Sequence, residues 1–250
     1  RLGFERMNDR QSAFKILNKI EKDKAYTNLL LDSYLKSNAD EVYSASFVTA
    51  LVYGVTERLI TLDFILSKYL RQPIKKLKPE VLTILRMGAY QLKFMDSVPN
   101  SAAVNESVKL AKNNGCAFAS GLVNSVLRKV SADKLEYPNT DDPVYDMSIR
   151  YSCPYNLVSH YCKDYGVENT EGILSHSIGG QRIFARVNTL KTDFDSLKSS
   201  LENEKTEISP CENIENHFEF KTHCAVERLP QFTDGLFHVQ DIASAICVKS

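Results

Sequence analysis

The chain has 250 residues, 43% hydrophobic and 25% charged, the balance of a folded protein of one or two domains. No apolar run approaches the roughly 18 residues that a membrane-crossing helix needs, and no basic-then-apolar leader opens the sequence. Net charge is zero, but residues 1–130 hold 20 Lys/Arg against 12 Asp/Glu, and residues 131–250 hold 11 against 19. The first half is thus suited to an anionic partner such as RNA, although charges on solvated helix faces give the same count.

Six cysteines (116, 153, 162, 211, 224 and 247) show no CxxC and no repeated spacing. That disfavours a disulfide framework or zinc site and fits reduced thiols in a cytoplasmic protein. No metal site is expected, and the five histidines make no ligand pattern.

The first 130 residues read as helices. Asn8 or Asp9 can cap one whose apolar face is Ala13, Phe14, Leu17 and Ile20, with Lys15, Lys19 and Lys22 on the other side. A second holds Leu29 to Leu31 and Leu35, a third starts near Phe47, and apolar spacing continues from Leu59 to Leu70. Pro79 suits the first turn of the helix carrying Val81, Leu82, Leu85 and Leu92. Pro99-Asn100-Ser101 announces the next helix and Gly115 closes it. A last one presents Leu122, Val123, Val126, Leu127 and Val130 on one face. Six or seven helices with short loops describe an all-α bundle.

Residues 131–143 are polar and proline-punctuated, a linker composition. Ser152 and Pro154 start a short helix that ends at Gly166. After Gly179-Gly180, Ile183, Ala185 and Val187 alternate with Phe184, Arg186 and Asn188, which predicts a strand. Thr192 with Asp195 resembles a capping box before Phe194, Leu197 and Leu201. Further strands are expected near Ile208 and at His217–Lys221. Gly235 to Val239 reads as a strand entering a cap at Asp241, followed by a helix with Ile242, Ala245 and Ile246. Nothing finishes that helix before Ser250, and the chain starts at Arg1. It reads as part of a larger protein.

Several stretches together resemble the Sun/Fmu (RsmB) family of 16S rRNA cytosine-5 methyltransferases. They include Phe47-Val48-Thr49-Ala50-Leu51-Val52-Tyr53-Gly54-Val55, Leu62-Asp63, Leu85-Arg86-Met87-Gly88-Ala89-Tyr90-Gln91-Leu92 and Val98-Pro99. Ala103-Val104-Asn105-Glu106, Leu122-Val123-Asn124-Ser125-Val126-Leu127-Arg128, Ser148-Ile149-Arg150-Tyr151-Ser152 and Arg186-Val187-Asn188 follow. The last is Gly235-Leu236-Phe237-His238-Val239-Gln240-Asp241-Ile242-Ala243-Ser244. Their order and spacing carry the resemblance, and no single piece does. Cys153 departs from the family, which usually has His there.

The resemblance implies an all-α NusB-like helical bundle at 1–130, a linker at 131–143, and an intermediate α+β region at 144–234 with an RRM-like unit. Residues 235–250 are then the first strand and helix of a Rossmann-like methyltransferase domain. It also implies S-adenosylmethionine as cofactor and small-subunit rRNA as partner, with no membrane and no DNA. The family's chemistry uses a cysteine thiolate that adds to carbon 6 of cytosine, so that carbon 5 can attack the sulfonium methyl of a cofactor held at a glycine-containing turn.

This segment shows no such turn, so no catalytic and no cofactor-binding residue is assigned within it. Pro210-Cys211 mimics the family's Pro-Cys dipeptide only superficially, because it precedes where a cofactor loop would begin. Asp63, Glu106 and Asp241 read as caps or ion-pair partners. RNA-contact candidates are Lys15 and Lys19 (with Lys22), the loop lysines Lys75, Lys76 and Lys78, and Arg186 with Asn188 on one strand face. For each, a solvated or internally packed role competes. The alternative for the whole chain is a stand-alone NusB-like RNA-binding or antitermination module, against which the segment from Phe237 to Ser244 argues.

Overall fold

The computed structural model describes residues 9–23, 26–39, 42–179, 182–204, 206–212, 214–222 and 226–249. Asn8, Gly180, Cys224 and Ser250, named above, lie outside them. The chain divides after Ile178 into two compact units.

The first unit begins with seven α-helices among the described residues: α1 (Asp9–Asp23), α2 (Thr27–Ser37), α3 (Ala45–Glu57), α4 (Leu59–Ser67), α5 (Pro79–Phe94), α6 (Asn100–Asn113) and α7 (Ser120–Ala132). Most apolar positions read from the sequence join one core, with Ala13, Leu51, Leu62, Leu85 and Leu127 fully buried alongside Ile84, whereas Leu29 is exposed. Both carboxylate oxygens of Asp9 accept backbone bonds, from Tyr43 at 2.8 Å and Ser44 at 3.1 Å, which tie α1 to the start of α3. Ser44 in turn caps α3 by accepting from the Phe47 N–H at 3.2 Å. Asp63 is an ion-pair partner, as read. Arg86 of α5 grips its two oxygens at 2.7 Å each. Among the described residues no single helix is long and apolar enough to cross a membrane.

Three further helices belong to this unit: α8 (Pro143–Arg150), α9 (Tyr155–Tyr165) and α10 (Val167–Ser177). Asp142, at the end of the proline-punctuated stretch, caps α8 by accepting from Val144 and Tyr145 N–H groups. The helix expected up to Gly166 forms as α9. Gly166, with φ of 80°, both ends α9 and starts α10, which the sequence reading left unassigned. Met147, Val158 and Leu174 form a small core among the three. This trio docks on α4 through Thr61, whose hydroxyl donates to the Ile149 carbonyl at 2.6 Å.

The second unit contains β1 (Ile183–Val187), α11 (Phe194–Glu202), β2 (Glu207–Pro210), β3 (His217–Lys221), α12 (Pro230–Thr233), β4 (Phe237–Val239) and α13 (Ile242–Lys249). The strands form one sheet in the order β2-β3-β1-β4, every pairing antiparallel. The strand read at 235–239 is thus an edge strand of this sheet. Ala185, Val187, Phe218, Phe220 and Phe237 share the buried face and pack with Leu197 and Leu201 of α11. The Phe218, Phe220 and Phe237 rings meet edge-on or tilted with centroids 5.7–6.0 Å apart. Capping corrects the sequence reading at one position. Asp193, not Thr192, caps α11 by accepting from the Ser196 N–H at 2.9 Å, since its backbone is the extended one at the helix start. Asp241 caps α13 as read, accepting from Ala243 N–H at 2.8 Å.

Candidate nucleic-acid interface

Lys15, Lys19 and Lys22 lie on the exposed side of α1, opposite buried Ala13, Phe14, Ile16 and Leu17. Spacings of four and three residues put the lysines on one helix face, which Glu21 and Asp23 border with opposite charge.

The loop lysines sit where two chain segments meet. A 3-10 turn, Ile74–Lys76, follows Pro73, and Lys78 is extended (φ −62°, ψ 139°) because Pro79 at the first turn of α5 restricts it. Lys75, Lys76 and Lys78 are all exposed. They stand at the N-terminal end of α5, where the helix dipole adds positive potential. Lys78 Nζ lies 4.8 Å from the centre of the Phe118 ring. Phe118, 67% exposed, belongs to a 3-10 turn between α6 and α7. The sequence reading missed it. Its signal was a lone aromatic among small residues (Cys116-Ala117-Phe118-Ala119-Ser120). Cations and an exposed ring together can hold phosphates and stack a base.

Arg186 is exposed on β1, opposite His217 on one side and His238 on the other. Asn188 is engaged within the protein. Its amide donates to the Gly235 carbonyl at 2.8 Å, and its side-chain oxygen accepts from Leu190 N–H at 3.3 Å. It therefore holds the turn after β1.

Cys116, Cys153 and Cys211 are all displaced in the direction that opposes nucleophilic use, since burial pushes each thiol up. At Cys211, Arg182 pulls the thiol down and Glu219 pushes it up, and burial outweighs both. Glu106 pairs with Lys109 at 2.7 Å. Among the described residues no group of three or more His, Cys, Asp or Glu could hold a metal ion.

Residues 7–132 match the model of the NusB family. The chain belongs to the NusB family. Similarity extends well beyond that domain. The chain is 30% identical, over 96% of its length, to the probable ribosomal RNA small subunit methyltransferase B of Bacillus subtilis (strain 168), covering 54% of that protein. It is 32% identical to the protein of the same name from Synechocystis, over 94% of this chain and 53% of the other. The transcription antitermination protein NusB of Ruminiclostridium cellulolyticum is 32% identical over 50% of this chain and 88% of its own. The crystal structure of PH0851 shares the fold with a TM-score of 0.64 at 18% identity, covering 96% of this chain and 54% of that one. The resemblance carried by the sequence motifs agrees with both findings, relatives named ribosomal RNA small subunit methyltransferase B and a NusB match over residues 7–132 of this chain. The chain spans about half the length of the methyltransferase relatives it matches.

Proposed function

We propose that this chain is the RNA-recognition part of an S-adenosylmethionine-dependent rRNA (cytosine-5)-methyltransferase that acts on small-subunit rRNA in the cytoplasm. The observation that carries this reading is the reach of the similarity. It covers 96% of the chain, through both compact units, whereas the match to the antitermination protein stops at half. Residues 1–130 then serve as the RNA-binding domain and 131–143 as a linker. β4, read from the sequence as the first strand of the Rossmann-like methyltransferase domain, instead pairs with β1 as the fourth strand of this sheet, so that domain follows it and residues 144–239 form the intermediate region. The succession β-α-β-β-α-β with strand order β2-β3-β1-β4 supports an RRM-like unit within it.

The residues present do not fit the methyl-donor cofactor. Such a group needs a close backbone approach at a glycine after a strand. The turn from β1 to α11 and the turn from β4 to α13 contain no glycine, and Gly235 precedes its strand. No methyl-transfer step is assigned to these side chains. In this reading they bind and orient RNA, and the chemistry belongs to the portion of the relatives that this chain does not match.

Binding of the 250-residue chain to small-subunit rRNA across a salt series tests the reading. Affinity should fall linearly with salt on logarithmic axes, and a Lys75→Glu, Lys76→Glu, Lys78→Glu variant should bind at least about tenfold more weakly, with a shallower slope. No rRNA binding, or wild-type affinity in the variant, would count against it.

A further inference from the structure

The sheet of the second unit buries one face under α11 and leaves the other as the wall of a cleft of about 830 Å³. Alternation along β1 puts Arg182, Phe184 and Arg186 on this open face, away from Ala185 and Val187. The register sets Phe184 opposite Glu219 of β3. Ile242 and Ile246 of α13 line another part of the cleft, and Cys211 and Ile214 a third.

Three charged groups line these largely apolar surroundings, the exposed Glu212 and, beside Phe184, Arg182 and Glu219. The Arg182 guanidinium lies 5.1 Å from the centre of the Phe184 ring and pairs with Glu219. The Glu219 side chain is only 18% exposed, whereas that of Arg182 is 65% exposed. The Arg182 contact holds the Glu219 carboxyl below its ordinary range, so it stays ionised and accepts hydrogen bonds without donating any. The fold's own core lies on the opposite face, and nothing in it requires a carboxylate sunk beside a ring here.

We infer that this cleft takes one unpaired nucleotide of single-stranded RNA whose base carries an exocyclic amine: cytosine, adenine or guanine, but not uracil. The base lies against Phe184 and the isoleucines of α13, its amino group donates to Glu219, and its phosphate meets the exposed guanidinium of Arg182. Arg186 continues the cationic track along β1. Uracil fits poorly, because its Watson–Crick edge sets two carbonyl oxygens around a single N–H and turns one of them toward the carboxylate. The inference rests on the RNA-recognition reading above and adds the place and the kind of base. The Cys211 thiol is a neutral wall of the cleft.

The test is binding of the 250-residue chain to short fluorescent oligo(rC), oligo(rA) and oligo(rU) at one salt concentration. The wild type should prefer oligo(rC) and oligo(rA) to oligo(rU) by about tenfold, and Phe184→Leu, which keeps apolar bulk but removes the ring, should weaken all three by about tenfold. Glu219→Gln should erase the preference. Arg182→Gln breaks the same ion pair yet leaves the acceptor, so it should keep the preference while lowering affinity. This separates recognition from any loss of folding. Equal affinity for the three oligonucleotides, or an unchanged Phe184→Leu variant, overturns the proposal. RNA binding that depends on Lys75, Lys76 and Lys78 but ignores Phe184 and base identity would sink the cleft alone and spare the broader reading. Absence of any RNA binding would sink both. A cleft that instead receives a protein segment would show the first of these patterns.

Discussion

The hydroxyl of Ser152 accepts a 3.0 Å hydrogen bond from the backbone N–H of Ile60, 92 positions away in the chain. Ile60 lies in the first turn of α4, where N–H groups lack a partner within the helix. Ser152 thus caps a helix of the bundle from the junction between α8 and α9. It does so at φ 51°, in the left-handed region that side chains rarely occupy.

Removing this bond and removing this strain have opposite effects. Ser152→Ala loses the bond and keeps the strain, which should cost about 1 kcal/mol. Ser152→Gly loses the same bond but relieves the backbone by about 1 kcal/mol, so it should be close to neutral. Urea unfolding curves of the two variants check this. Equal losses would show that the hydrogen bond alone matters at this position.

Gly54 is a position of close approach. A Cβ there would lie 1.9 Å from Cζ of Tyr90, whose ring stacks on Phe94 with centroids 5.7 Å apart. Gly54→Ala must expel the tyrosine, at a cost of about 1–3 kcal/mol. Combining it with Tyr90→Leu should lose less stability than the two single changes added together, because the clash disappears with the ring. Strict additivity in denaturant unfolding would contradict this packing.

Much of the bundle was legible because its apolar residues repeat at helical spacing beside strong punctuation, such as Pro79 before α5 and Gly115 after α6. α10 was not, because only Thr170 and Leu174 of it are buried, too thin a stripe to read as a helix. Asp142-Pro143 looked like linker yet is a cap and first turn, since the same residue types serve both roles. In the second unit, alternation located the strands but could not say which strands are neighbours. The pairing of β1 with β3 and β4 depends on contacts distant in sequence. The candidate site divides in the same way. Lysine positions were readable one by one, whereas Phe118 beside Lys78, and Glu219 beside Arg182 and Phe184, exist only once separate segments come together.

Tyr69 offers a pH test. Burial first, then its 2.6 Å hydrogen bond to Asp133, pushes its phenol from 10.0 up to about 12. The unfolded chain therefore loses this proton before the folded one. The stabilising effect is complete below about pH 10 and is lost as the pH rises from about 10 to 12. Tyr90, Tyr151 and Tyr155 are also raised, so phenolate absorbance should show several late-titrating tyrosines, and Tyr69→Phe should remove one component near pH 12. The urea midpoint of that variant should fall less steeply over the same window than that of the wild type. Parallel pH profiles would refute the assignment.

The central claim concerns what the chain does within a larger methyltransferase, and transfer of a labelled methyl group tests it most directly. The product of the complete reading frame, incubated with small-subunit rRNA and S-adenosylmethionine tritiated on the methyl group, should place label in the RNA that is recovered as 5-methylcytidine after digestion. The 250-residue chain alone should place none. Failure of the complete product to label the RNA, label recovered in another nucleoside, or label transferred by the 250 residues alone would contradict the account.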